Sequence, residues 1–421
     1  MILIYTPKVT NRIKFVLDFV FFQYFDIAYQ LTTTLPNTTA NCIFYTNENK
    51  LGFSIFQHAL LLEENITAQD LSIHIFENLP TLFFDASNES NIPFDIFSAI
   101  FFLISRYEEY LPHEKDEHGR YLSSNSILNN EAFQFRPIVE EWLILFKSKL
   151  QTQFPNLQFK EHQFKTTITF DIDNAFAYKA RSFFDFTKLV LKPNNIIEKY
   201  SVLKNIKQDP FYTFDYFLPL LKQTNYEILF FFLLSNQHQN DSVVNPKHIL
   251  LQQLIQNISH DFILGIHPSY ASLENKSIAS EKNLLEQYTK KDITKVRQHF
   301  LRIQFPITFE AYIDAGLTED YSLAYPNISG CRAGTTQPFY FFNLKINEQR
   351  PLLLFPFIWM DASYQYYQNK KEAEIWQSFM ILYEEVRKLN ANFITLFHND
   401  LLQDKYIVYK NIFKYLIKNE N

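Results

Sequence analysis

The chain has 421 residues, 47% hydrophobic and 20% charged, with a net charge of −6; this suits one elaborated domain or two, and no basic arm that would point to nucleic acid. Its two cysteines, Cys42 and Cys331, have neither zinc-type nor redox-type spacing and exclude a disulfide scaffold, so reduced thiols are expected. None of the six glycines lies in a GxGxxG or GxxxxGK[ST] pattern, which removes the sequence support for dinucleotide or P-loop phosphate binding.

Met1 to Asn11 lacks the basic start and apolar run of a signal peptide, so a cytoplasmic protein is expected. Phe15 to Phe25 and Phe94 to Ile104 are apolar but fall short of the roughly 20 residues of a membrane span. Both are expected to be buried helices. Asn37–Asn41 and Asn47–Lys50 read as turns, and Pro93–Tyr110 and Phe135–Gln153 as helices. Between those helices Pro112–Ser126 is charged and polar, an expected exposed loop in which His113 and His118 are solvated. Residues 1–160 are therefore expected to form a mixed α/β accessory domain without a catalytic set.

From Lys165 the pattern becomes strand, loop and helix in succession. The expected strands are Thr166–Phe170, Ile228–Leu234, Phe262–Ile266, Val296–Leu301, Leu352–Phe357 and Phe393–Phe397. Helices are expected between them at Asp215–Gln223, Ser280–Lys290 and Ala373–Leu389. Such alternation predicts a parallel α/β architecture over residues 161–421. With this strand count it is a distorted, incomplete (β/α) barrel of about seven strands.

The chemistry gathers at the ends of these strands. In Thr166–Asp173, a period of two puts Thr167, Thr169, Asp171 and Asp173 on one face and Ile168, Phe170 and Ile172 on the other. The two carboxylates project about 7 Å apart along the strand, which suits one as a metal ligand and the other as a proton acceptor. His267 ends the next candidate strand but one, followed by Pro268, Ser269 and Tyr270. Arg297 and His299 share a face. Arg332 sits in a glycine-flanked turn, Asp361 follows an apolar run, and His398 closes the last strand.

In this order the motifs resemble the polysaccharide deacetylase superfamily, in a branch with an extra N-terminal domain. The resemblance implies that Asp171 in Thr169–Asp173 is the catalytic base and Asp173 a metal ligand. It makes His267 a second ligand, Arg297 the arginine that holds the base, and Asp361 the aspartate that orients that arginine. His398, in Leu396-Phe397-His398, would be the general acid. The family's second histidine, four residues after the first, is here Ala271. The third ligand is left open among His299, an oxygen of Ser269 or Tyr270, or no metal at all. The implied cofactor is a divalent metal, zinc, and Arg332 and Tyr270 are the candidate substrate contacts. The implied function is removal of an N-acetyl group from an amino sugar. Two alternatives stand beside it: a degenerate member that binds carbohydrate or acts as a scaffold, and a hydrolase of another C–N bond.

Overall fold

The computed structural model describes all residues except 38, 48–51, 87–89, 183–185, 188, 190–194, 369 and 420–421. The expected turn at Asn47–Lys50 therefore lies outside the described residues from position 48 onward.

The N-terminal region holds a four-stranded parallel sheet of β1 (Ile2–Tyr5), β2 (Tyr29–Thr32), β3 (Cys42–Tyr45) and β4 (Phe53–Ile55), in the order β2-β1-β3-β4. A hairpin of β5 (His74–Phe76) and β6 (Leu79–Thr81) follows. Both apolar segments are buried helices. The first runs from Asn11 to Leu17 and widens into a π-helical stretch at Asp18–Phe25; the second is Ile96–Ile104, with every residue buried. Asp95 caps the second helix through the Ser98 amide, which is why it begins there and not at Pro93.

The C-terminal region is built on a nine-stranded sheet. Its strands are β7 (Lys165–Ile172), β8 (Glu227–Phe232), β9 (Ile263–Ile266), β10 (Lys295–Val296), β11 (Glu319–Asp320), β12 (Phe339–Asn343), β13 (Glu348–Leu354), β14 (Trp359–Met360) and β15 (Asn392–His398). The order is β12-β13-β11-β10-β9-β8-β7-β15-β14, with every pairing parallel except β12 with β13. The α/β expectation holds at this level, but the strand count is nine instead of about seven, and no pairing among the described residues closes the sheet into a barrel. Two of the extra strands, β11 and β14, span two residues each and carry no readable periodicity.

The alternation in β7 sets the two faces. Ile168, Phe170 and Ile172 are buried, and Phe170 stacks on Phe217 and Phe230 at 4.8 Å each, beneath the covering helices. Thr169 and Asp171 turn to the opposite face and meet Arg297. The expected strand Val296–Leu301 is corrected: β10 stops at Val296, and His299–Leu301 forms a 3-10 turn in which Phe300 takes a left-handed φ of 59°. A phenylalanine there is uncommon; the chain stays extended through Gln298, and His299 lines the cavity.

The two regions share one core. Phe342 of β12 packs against Phe15 at 4.9 Å and Phe101 at 5.2 Å. Beside them lies a buried ion-pair cluster, in which the Glu109 carboxylate accepts from Arg106 at 2.9 Å and from Arg332 at 2.9 and 2.6 Å.

Candidate metal and acid–base site

The C-terminal ends of β7, β9, β10 and β15 surround a cavity of about 380 Å³. This position follows from the fold, because parallel strands present their last residues at one edge.

Asp173, His267 and His299 meet at its floor, with ligand atoms all within 4.8 Å of one another. His267 Nε2 lies 3.2 Å from Asp173 Oδ1 and 3.1 Å from His299 Nδ1, and His299 Nδ1 lies 3.6 Å from Asp173 Oδ1. Ligands held about 2.0–2.2 Å from a tetrahedral zinc stand about 3.3–3.6 Å apart, so the three edges fit such an ion. The outer ring nitrogens fix the tautomers. His267 Nδ1 donates to the Arg297 carbonyl at 2.6 Å, and His299 Nε2 donates to the Asn240 carbonyl at 2.7 Å. A carbonyl only accepts, so the inward nitrogens of the neutral rings carry lone pairs. Asp173 Oδ1 is sealed from solvent with no hydrogen-bond donor. Three converging lone-pair atoms without a donor call for a cation.

The electrostatics agree. Burial opposes the Asp173 charge, yet His299, His267 and His398 outweigh it and hold the carboxyl below its ordinary range. Burial likewise opposes the His267 charge, but Asp171 and Asp173 outweigh it and raise its pKa. Burial, aided by His267 against Asp173, lowers His299 and keeps it neutral.

Asp171 stands beside this group. Its Oδ1 accepts from Arg297 Nη1 at 3.0 Å, and its Oδ2 lies 3.6 Å from His267 Nε2. Arg297 is fully buried between the rings of Phe231 and Phe357, at 4.5 and 4.9 Å, and also donates to Thr169 Oγ1 and the Tyr321 carbonyl. Gly265 makes room for Phe231, since a Cβ there would stand 2.5 Å from its ring.

Asp361 departs from its expected role. It orients His398 and not the arginine: Oδ1 accepts from Nδ1 at 2.6 Å, and Oδ2 from the His398 amide at 2.7 Å. Burial works against the imidazolium, but Asp361, with Asp173 and Asp171, raises the His398 pKa to about 10.

Both candidate substrate contacts are corrected. Arg332 is 1% exposed and spent on Glu109 and the Ala324 carbonyl, so it supports the junction of the two regions. Tyr270 stacks on His238 at 4.5 Å and under Arg302 at 4.2 Å, and its hydroxyl meets His118 Nδ1 at 3.0 Å. It braces the outer wall and does not line the cavity. That bond also shows His118 packed instead of solvated, and the expected exposed loop is docked.

Residues that the sequence reading passed over do line the cavity. Asp400, two residues beyond His398, is raised by burial to about 6. Tyr366 and Tyr367 come from the π-helical turn Ser363–Tyr367. Arg120 arrives from the N-terminal region. Asp400 and the tyrosines had a local signal, as polar or aromatic residues just past strand ends; Arg120 had none.

Residues 229–410 match the family model described as WbmS-like polysaccharide deacetylase, a span that includes His267, Arg297, His299, Asp361 and His398 but begins after Asp171 and Asp173. Residues 2–155 match a family of unknown function, DUF7033. No curated protein matches the chain. Among solved structures the chain is similar to a candidate polysaccharide deacetylase from Mycobacterium smegmatis, at 13% identity over 62% of this chain and 85% of that one, with a TM-score of 0.40. It is similar to Puue allantoinase at 12% identity over 62% and 86%, with a TM-score of 0.40. It is also similar to the polysaccharide deacetylase Bc1974 from Bacillus cereus at 11% identity over 60% and 87%, with a TM-score of 0.31. Residues 229–410 therefore match a polysaccharide deacetylase family model, the WbmS-like one, and residues 2–155 the DUF7033 model.

Proposed function

We propose that the protein is a metal-dependent hydrolase that removes the N-acetyl group from an amino sugar. The observation that carries this reading is the convergence of Asp173 Oδ1, His267 Nε2 and His299 Nδ1 at tetrahedral ligand spacing, with no donor among them. On this reading His299 stands in for the histidine replaced by Ala271. The nitrogen-rich set suits zinc, which would supply Lewis acidity, polarising the acyl carbonyl and making water acidic enough to attack near neutral pH.

The chain's own groups do the rest. Asp171 accepts the proton of the attacking water at Oδ2, because Oδ1 is tied to Arg297. Arg297 keeps that carboxylate aligned through its bond to Oδ1. His398, held as an imidazolium by Asp361, gives its Nε2 proton to the departing nitrogen, so the amine leaves neutral and acetate remains. The size of the cavity supports a single sugar residue as the group bound beside the acetyl carbon, at the small end of ligand pockets.

A division of the chain near residue 160 and a cytoplasmic setting belong to the same reading. The family match that ends at 155 and β7 beginning at Lys165 support the first; the two buried, unpaired thiols Cys42 and Cys331 support the second. Among the described residues no helix is long and apolar enough to cross a membrane. Acetate release from N-acetylated amino sugars, before and after chelation and zinc restoration, tests the function. Release that stops on chelation and returns with zinc supports it; release unaffected by complete metal removal overturns it.

A further inference from the structure

The DUF7033 region places one side chain in the deacetylase cavity. Arg120 is 4% exposed, lies in the loop closed by the bridge Lys115–Tyr121, and lines the cavity with residues of the other region. Its guanidinium is held from three sides. Nε donates to Asp116 Oδ2 at 2.6 Å, and Nη1 donates to the Phe300 carbonyl at 2.9 Å and the Tyr367 hydroxyl at 3.1 Å. The Tyr367 ring also lies 5.4 Å below it. Asp116 is itself committed, since Oδ1 takes the amides of His118 and Arg120. Nη2 alone has no protein acceptor among the described residues, and it is not among the sealed orphan atoms.

His398, which lines the cavity, is engaged by Asp361, and Arg297, buried behind the lining, by Asp171. Arg120 is attached to neither. A guanidinium fixed in advance with one arm left open is a preorganised donor for an oxygen-bearing ligand, and it donates most strongly to an anion.

We infer that Arg120 is a substrate-binding residue that recognises an anionic group on the amino sugar, so the DUF7033 region completes the deacetylase site and sets its specificity. The inference rests on the deacetylase reading and adds the substrate class: an acidic N-acetylated amino sugar, its charge a carboxylate or a phosphate. Both present oxygens to the same open amine, and the cavity has room for one sugar with such a small group.

The test uses the full chain loaded with zinc and three probes of related shape: neutral N-acetylglucosamine, an N-acetylated amino uronic acid, and N-acetylglucosamine 1-phosphate. The wild type is expected to favour at least one acidic probe over the neutral one by about ten- to a hundredfold in kcat/KM, the scale of one hydrogen bond to a charged group. The favoured probe identifies carboxylate or phosphate as the source of the charge. Arg120→Gln is expected to bring that ratio towards one, and Arg120→Lys to recover part of it. Zinc content measured alongside separates lost recognition from damage to the His299 turn. Equal wild-type preference for neutral and acidic probes overturns the inference, and needs no variant. An equal fall for all probes in Arg120→Gln also overturns it. If no probe yields acetate, the deacetylase reading fails first; calorimetric binding of the acidic probes then decides for Arg120. Binding weakened at least tenfold in Arg120→Gln supports its role, and binding that is absent from the wild type or unchanged in the variant removes it.

Discussion

Nδ1 of His299 stands 3.1 Å from Nε2 of His267, and each ring spends its other nitrogen on a backbone carbonyl. Two neutral imidazoles so arranged face each other with lone pairs, and Asp173 Oδ1 adds negative charge at 3.2 and 3.6 Å. A proton on His267 or a metal ion relieves the repulsion. The two would compete for the same lone pair, so metal uptake would be coupled to proton release. The proposed acid–base pair, Asp171 and His398, flanks this centre but is held by separate partners, Arg297 and Asp361.

That separation makes Asp171 testable apart from the metal. Asp171→Asn keeps an oxygen for Arg297 but loses the basic site. Turnover is expected to fall at least about a hundredfold, the lower scale of general base catalysis, while zinc content stays unchanged. Loss of zinc in this variant would make Asp171 a ligand.

His398 carries a pH signature. Its folded pKa of about 10 lies above the ordinary histidine value of about 6.5. The stability it contributes is therefore fully present below about 6.5 and lost as the pH rises to about 10. Asp361 is the largest raising influence, so Asp361→Asn should drop the titration towards the ordinary value. Imidazole NMR titration of the metal-free protein reads this directly. A midpoint that stays near 10 in the variant would assign the shift to another partner.

The buried cluster at the junction gives a stability prediction. Glu109 bridges Arg106 and Arg332, which are 0% and 1% exposed, and Glu108 lies 3.7 Å from Arg106. Glu109→Ala strips Arg332 of its carboxylate and leaves Arg106 only that of Glu108, and should cost about 3–5 kcal/mol, the usual penalty for removing one partner of a buried pair. Denaturant unfolding measures it. A loss below about 1 kcal/mol would place the cluster in solvent contact, where ion pairs are weak.

Much of the site was legible because it lies at strand ends, where chain direction and a period of two decide which side chains point together. Asp171, Asp173 and His267 follow from that alone. His299 was reached by extending β10 past its true end; the backbone is still extended at Gln298 and turns only at Phe300, after the histidine. Arg332 and Tyr270 were misplaced because a polar residue in a turn beside a site reads alike whether it faces the cavity or is buried against another partner. Asp361 was matched to the wrong cation, since β14 runs parallel to β15 and so sets it beside His398. Arg120 had no local signal, because its neighbours in the cavity lie at least 180 positions away in the hydrogen-bonded pairs it makes there. Only docking of the N-terminal loop brings it in.

The central claim is that Asp173, His267 and His299 form one metal centre. Zinc content after purification and dialysis against a moderate chelator, compared between the wild type, His299→Ala and His398→Ala, tests it most directly. The account predicts about one equivalent of zinc in the wild type and in His398→Ala, consistent with one three-residue protein ligand set. In His299→Ala it predicts retention weakened by more than about a hundredfold, beyond the effect typical of outer-shell partners. Undiminished retention in His299→Ala, or no zinc uptake by the wild type even when zinc is supplied, would contradict it.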